Sequence, residues 1–123
     1  MILLDTNVLS ELMRPAPSVV VREWIASRPA TSLYTTSIAQ AEILHGARLL
    51  PPGKRRNAIE AAAEAMFQED FAGRVLPFGS DAAHAYARIA SERRRIGRPI
   101  SQFDAQIVAI AAAVGAALAT RNT

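Results

Sequence analysis

Short apolar segments alternate with longer segments of helical periodicity along this chain, and that alternation limits its fold more than any other feature. The sequence predicts strands at residues 2–4, 32–36, 75–78 and 116–120. It predicts helices between them, at residues 6–12, 19–28, 37–50, 55–71, 81–96 and 102–114. Strands that alternate with helices in this way favour a parallel sheet with helices on both faces. We therefore expect a single α/β domain over residues 1–123.

Polar residues and glycines mark the ends of the predicted helices. Side chains that accept a hydrogen bond from the first helical turn are typical of helix starts. Gly97 and Gly115 are predicted to end the last two helices. Pro77 places the third strand near an edge of the sheet or marks the end of the strand, because proline cannot donate to the strand ladder. The predicted capping residues are Thr6 or Asn7, Ser18, Ser37 (with Gln40), Ser80 and Ser101 (with Asp104).

The composition excludes several classes of chemistry. The chain has no cysteine, so it has neither disulfides nor thiolate metal sites nor cysteine nucleophiles. No apolar run is long enough to cross a bilayer, and no basic segment precedes the first apolar stretch as it does in a signal peptide. We therefore expect a soluble cytoplasmic protein.

The balance of charge is basic, with a formal net charge of +3 and two dense runs of cations. Basic clusters suit a polyanionic partner such as nucleic acid. The alternative for either run is a solvated helix face or a favourable charge at a helix C-terminus. The runs consist of Lys54, Arg55 and Arg56, and of Arg93, Arg94 and Arg95 with Arg98 close behind.

Three acids are predicted at the carboxyl ends of strands, where ligands bind to open parallel sheets. Asp5 ends the first strand, and Glu42 lies about a turn and a half into the helix after the second, beside Ala41, which is predicted to face the core. Asp104 lies in the first turn of the helix before the last strand. Taken singly, each acid has a simpler explanation. Asp5 can be a helix cap, Glu42 an exposed helical acid and Asp104 a member of a capping box.

Three carboxylates in one crevice repel each other unless a cation lies between them. Carboxylate oxygens and water suit Mg²⁺ or Mn²⁺. The pattern does not suit zinc, because His45 and His84 are far apart in sequence and belong to no ligand motif. The sequence therefore predicts a magnesium or manganese site that hydrolyses phosphodiesters with an activated water.

Five segments together resemble the PIN-domain ribonucleases, and most of all the FitB-like group of VapC toxins from type II toxin–antitoxin pairs. The combined pattern is DTN, then S-x-x-x-x-E, then D-A-x-I-x-A, in this order along nearly the whole chain. The segments are MILLDTNVLSELMRP, TSIAQAEILHGARLL, RVLPF, GRPISQFDAQIVAIAA and ALATRNT.

The resemblance implies a three-layer α/β/α sandwich with a mainly parallel sheet and an acidic pocket that binds Mg²⁺ or Mn²⁺ and cleaves RNA. Asp5, Glu42 and Asp104 would be its catalytic and metal-binding acids, some of them acting through water. The supporting residues that it implies are Thr6 and Asn7 around Asp5, Ser37 at the pocket mouth, and Thr120 and Asn122 at the end of the last strand. The basic runs would hold the RNA backbone.

Asn122 departs from the family pattern, which usually has a fourth acid there or a few residues later. We expect either that the domain lacks its C-terminal end here or that the fourth acid is absent. The resemblance also implies a VapB-like antitoxin and a homodimer. Two alternatives remain: a PIN-fold binding module with weak or no turnover, acting through an antitoxin or DNA-binding complex, and a receiver-like domain with Asp5 as phosphoryl acceptor.

Overall fold

The centre of the molecule is a sheet of four parallel strands in the order β3-β2-β1-β4, seen in a computed structural model that describes residues 1–120. Within the sheet, Ile2 pairs with Leu33 on one side and with Ala117 on the other. The strand β3 lies at an edge and ends directly before Pro77, so both positions that Pro77 indicated are observed. The strands are β1 (Ile2–Leu4), β2 (Leu33–Thr36), β3 (Val75–Leu76) and β4 (Ala117–Ala119).

Six α-helices connect the strands, together with a 3₁₀ turn at Ala30–Ser32 and a π-helical turn at Met66–Asp70 that extends α4. The prediction of a parallel α/β fold is confirmed, and the helix ends agree with the predicted ones to within a few residues. The helices are α1 (Thr6–Leu12), α2 (Val19–Ala26), α3 (Ser37–Arg48), α4 (Lys54–Ala65), α5 (Ser80–Arg95) and α6 (Gln102–Val114). None of the helices within residues 1–120 is both long and apolar enough to span a membrane.

Helices cover both faces of the sheet because successive residues of β1 point in opposite directions. Leu3 and Leu4 are both fully buried. Leu4 belongs to a cluster with residues of α1, α3 and α4, such as Val8 and Ile43, whereas Leu3 packs with residues of α5 and α6. The sheet is therefore the middle layer of three.

The helices α5 and α6 form an antiparallel hairpin joined by residues 96–101. Ala82, near the start of α5, is buried in one cluster with Ile110, near the end of α6. Because α6 ends just before β4 begins, its first turn lies at the edge where the parallel strands end. The end of α5 lies at that edge as well.

Several predicted caps are wrong by one residue. Asp5, rather than Thr6 or Asn7, is the N-cap of α1, and its side chain accepts a hydrogen bond from the Val8 amide. Thr36 precedes Ser37 as the N-cap of α3, because its buried hydroxyl oxygen accepts from the Ala39 amide at 3.0 Å. The cap at Ser101 is confirmed.

Two further helix starts lack the predicted side-chain cap. Ser18 precedes α2 without a side-chain cap bond, and its amide instead donates to Oε1 of Glu11 at 2.7 Å. Ser80 is the first residue of α5 rather than its cap, and Gly79 precedes it. The predicted stops at Gly97 and Gly115 are confirmed by their left-handed φ angles of 74° and 69°.

Candidate active site

Asp5 lies where the central strand β1 passes into α1, and its backbone fixes it there. Its amide donates to the Ala119 carbonyl of β4 at 3.1 Å, and its Oδ1 accepts from the Val8 amide at 3.0 Å. The residue is half-buried, and its Oδ2 makes no hydrogen bond within residues 1–120. The cap therefore uses one carboxylate oxygen and leaves the other available to a ligand.

Glu42 is tied to the residue that follows Asp5. The Thr6 hydroxyl donates to Glu42 Oε1 at 2.7 Å, across 36 residues of sequence. Both side chains are half-buried. Thr6 was expected to support Asp5, but its hydroxyl holds Glu42 instead, because Thr6 is the first residue of α1 and faces α3. Ala41, predicted to face the core, is exposed, and Ala39, Ile43 and Ala47 are the buried residues of α3.

Asp104 lies in the first turn of α6, at the same edge of the sheet. Its amide donates to the Ser101 hydroxyl oxygen at 3.2 Å, which orients the first turn. The residue is exposed, and within residues 1–120 its carboxylate makes no hydrogen bond or ion pair.

The three acids share this edge without forming a ready cluster. Within the described part of the chain, no three acidic or histidine side chains lie close enough together to hold one metal ion. Their donors are nonetheless all carboxylate oxygens, with a hydroxyl beside Glu42, and this donor chemistry fits Mg²⁺ or Mn²⁺. The structure thus brings Glu42 to the end of β1 and Asp104 to the same edge. Within the described residues, the three carboxylates are not close enough to share one metal ion.

The other predicted supporting residues occupy the surroundings. Asn7 is exposed in α1, Ser37 is the half-buried first residue of α3, and Thr120 follows β4. Thr120 lines a cavity of about 660 Å³ with Val8 and Trp24. Asn122 lies outside the described residues.

The second basic run lies beside the start of α6. Arg93, Arg94 and Arg95 form the exposed last turn of α5, and Arg98 is exposed just beyond it. Arg93 Nε donates to the Arg98 carbonyl at 2.7 Å. Cations at a helix C-terminus interact favourably with the helix dipole, so the position of this run fits the structural alternative, and its binding of nucleic acid stays a prediction.

The first basic run begins α4 and is only partly free. Arg56 is half-buried and its Nε lies 2.7 Å from Glu60 Oε1, so its charge is already compensated. Lys54 and Arg55 are exposed. Arg55 lines a groove of about 350 Å³ with Thr6 and Glu42, and this groove leads from the acidic edge towards α4.

Two features of the surroundings were not predicted. Arg14, at the turn after α1, also lines the groove beside Arg55. Phe103 is 52% exposed in the first turn of α6, next to Asp104. An aromatic residue directly before the acid in the segment SQFDAQ was the signal that could have drawn attention to Phe103.

A family model for the PIN domain matches residues 2–123. This chain belongs to the PIN-domain family. This PIN domain is 40% identical over all 123 residues to the VapC ribonuclease Y4jK of Sinorhizobium fredii, and 40% identical to the toxin FitB of Neisseria gonorrhoeae. It spans 88% of the length of each. The predicted resemblance to VapC and FitB-like proteins is therefore confirmed.

Solved structures agree with this assignment and with the three-layer fold. The PIN domain superposes on a chain of the FitAcB structure from Neisseria gonorrhoeae with a TM-score of 0.91 and 40% identity, covering all of this chain and 88% of that one. The structure of FitAB bound to an IR36 DNA fragment gives a TM-score of 0.90 with 39% identity, over 99% of this chain and 85% of that one.

Proposed function

We propose that this PIN-domain protein is an endoribonuclease toxin of a toxin–antitoxin pair and that it requires Mg²⁺ or Mn²⁺. The observation that carries the proposal is the hydrogen bond from Thr6 to Glu42, because it brings a second carboxylate to the end of the strand that carries Asp5. Support comes from the relatives, one named a VapC ribonuclease and another the toxin FitB. Such an RNA substrate would place the protein in the cytoplasm.

Asp5, Glu42 and Asp104 are the residues that would hold the cation, directly or through water. When bound, the cation would neutralise charge on the scissile phosphate and lower the pKa of a water nucleophile. Thr6 orients Glu42, and the cap bond orients Asp5, so two of the carboxylates are positioned before substrate arrives. A carboxylate of this set accepts the proton of the attacking water.

The exposed cations around the acidic edge would hold the RNA backbone. Arg93, Arg95 and Arg98 lie beside the start of α6, and Arg55 lies in the groove that reaches Glu42. Contacts of this kind neutralise phosphates without reading sequence, so binding falls as salt rises. Arg94 is exposed in the same turn of α5, and Lys54 is exposed at the start of α4. Arg56 is a weaker candidate, because its charge is already paired with Glu60.

A VapB-like antitoxin is the proposed protein partner, and a homodimer is the proposed assembly. The antitoxin is supported by the structural similarity to FitAcB and FitAB, whereas the homodimer rests on the family resemblance alone. Apolar residues exposed on α2 offer surface for such contacts: Val19 is 53% exposed and Val20 is 77% exposed.

The test is cleavage of RNA by purified full-length chain, with and without Mg²⁺, for the wild type and for Asp104→Asn. We expect Mg²⁺-dependent cleavage by the wild type, and at least a hundredfold loss in the variant, since removing one group that stabilises the transition state costs about that much. Asp81→Asn is the matched control, because Asp81 is an exposed acid in the first turn of α5, at the other end of the hairpin. Equal cleavage by Asp104→Asn and Asp81→Asn would contradict the assignment.

A second candidate function is a binding module without turnover, acting through an antitoxin and DNA. It is favoured by the absence, within residues 1–120, of a ready cluster of three metal-binding side chains. The same preparation distinguishes the two functions: a filter-binding assay run beside the cleavage assay would show retention of nucleic acid without any metal-dependent product if this second function is the correct one.

A further inference from the structure

Phe103 is an exposed aromatic residue at the acidic edge of the sheet. It directly precedes Asp104 in the first turn of α6, and 52% of its surface is exposed. A single exposed apolar side chain is common on protein surfaces, so exposure alone carries no argument. Its direction and its neighbours carry the argument instead.

Helical periodicity places Phe103 on the core-facing side of α6. It lies four residues before Ile107, and residues at that spacing share one face of a helix. Ile107 is 2% exposed and belongs to the buried cluster that includes Leu4 of β1 and Ile43 of α3. Phe103 therefore extends the buried stripe of α6 by one turn, at the end of the helix that carries Asp104.

Exposed cations lie at the same end of the neighbouring helix. The last turn of α5, with Arg93 and Arg95, lies beside the start of α6, and Arg98 belongs to the connection between the two helices. Ile96 in the same connection is 66% exposed. An aromatic face beside guanidinium groups is typical of surfaces that bind single-stranded nucleic acid, where bases stack on rings and phosphates pair with cations.

We propose that Phe103 is a stacking platform for one unpaired base of the RNA, adjacent to the phosphodiester at the acidic edge. This inference rests on the proposed ribonuclease function and assigns to it a residue that would contact a base of the substrate. Bases inside an A-form helix are already stacked and cannot lie on a protein ring, so Phe103 selects single-stranded loops, bulges or ends. Because every base has a π-face, Phe103 confers this selection without fixing the identity of the base.

The experiment measures binding of short oligoribonucleotides to the full-length chain in EDTA, so that cleavage does not intervene. The probes are an unstructured RNA of about twelve nucleotides, the same sequence in a duplex, and a set of single-stranded versions with one abasic site each. The variants are Phe103→Leu, which keeps an apolar side chain, and Phe103→Trp, which keeps a ring. Val114→Ala is the matched control, since Val114 is 44% exposed at the other end of the same helix.

We expect Phe103→Leu to bind the single strand roughly tenfold more weakly than wild type, with duplex binding unchanged. We also expect one abasic position to weaken binding to wild type by a similar factor and to have no effect on Phe103→Leu. Phe103→Trp should bind the single strand as tightly as wild type does. RNA should quench the tryptophan fluorescence of this variant more than that of the wild type, whose single tryptophan is Trp24.

Equal single-strand affinities for wild type and Phe103→Leu, with both variants folded by circular dichroism, would overturn the inference. A change in self-association on sedimentation, with RNA affinity unchanged, would also overturn it and would assign Phe103 to an interface between copies. The proposed function fails separately, through absence of Mg²⁺-dependent cleavage by the wild type. If an abasic site weakens RNA binding but the wild type cleaves no RNA, the stacking role of Phe103 is supported and the proposed ribonuclease function fails.

Discussion

The hydroxyl of Thr6 donates a 2.7 Å hydrogen bond to Oε1 of Glu42, joining the start of α1 to the middle of α3. This bond fixes one carboxylate oxygen of Glu42 beside Thr6, which directly follows Asp5 in the chain. A hydrogen bond to a carboxylate is stronger than one between neutral groups, and it restricts a flexible side chain at the site where position matters.

Replacement of Thr6 by Val tests this positioning role. The substitution keeps a β-branched shape and removes the donor, so Glu42 loses its fixed orientation. We expect the catalytic rate to fall roughly tenfold, with a loss of about 1 kcal/mol in the free energy of unfolding. Thr6→Ser should restore most of the rate, and Ser10→Ala should change neither quantity, since Ser10 is an exposed α1 residue of the same groove. A rate for Thr6→Val equal to that of Thr6→Ser would contradict the role.

Two substitutions of Asp5 separate its cap from its proposed metal role. Asn is as good an N-cap as Asp, so Asp5→Asn should unfold in urea at the same midpoint as the wild type while losing cleavage. Asp5→Ala should lose cleavage and also about 1 kcal/mol of stability. Equal destabilisation by both variants would show that the charge, rather than the cap bond to the Val8 amide, stabilises this junction.

Glu11 is the buried acid that joins α1 to α2, and we expect its removal to destabilise the fold. The residue is 8% exposed, its Oε1 accepts from the Ser18 amide at 2.7 Å, and its Oε2 lies 3.5 Å from Arg14 Nε. Glu11→Ala should cost about 2 kcal/mol in urea unfolding, because the partly buried Ser18 amide loses its acceptor. Arg14→Ala should cost well under 1 kcal/mol, since the Arg14 side chain is 70% exposed. A larger loss for Arg14→Ala than for Glu11→Ala would refute this order.

The arginines at the end of α5 should control the salt dependence of RNA binding. Each of Arg93→Gln and Arg95→Gln should lower affinity at low salt and reduce the slope of log K against log salt by about 0.7, the value for one phosphate contact on a single strand. Arg22→Gln is the control, because Arg22 is exposed on α2. Titrations of a fluorescent RNA at salt concentrations from about 50 to 200 mM measure these slopes. An unchanged slope would place the backbone contacts elsewhere.

Local signals in the sequence determined much of this fold. Alternating strands and helices predicted the parallel sheet, and Gly97 and Gly115 predicted two helix ends. Pro77 indicated an edge or a strand end for β3, and β3 has both positions. These features depend on the backbone preferences of single residues and on short-range periodicity, which are readable without knowledge of the neighbours. The same reasoning placed Asp5 directly after a strand and Asp104 in the first turn of a helix.

The tertiary structure alone decided which side chains meet. The sequence could not assign the Thr6 hydroxyl to Glu42 rather than to Asp5, because that choice depends on how α1 packs against α3. Nor could it choose Thr36 over Ser37 as the cap of α3, since both carry a hydroxyl group. The choice depends on the residue at which β2 ends and α3 begins. The antiparallel pairing of α5 with α6, which brings Arg93 and Phe103 to one edge, likewise depends on a buried cluster that contains Ala82 and Ile110. Contacts between residues distant in sequence follow from the shape of the whole core, and short-range patterns do not encode that shape.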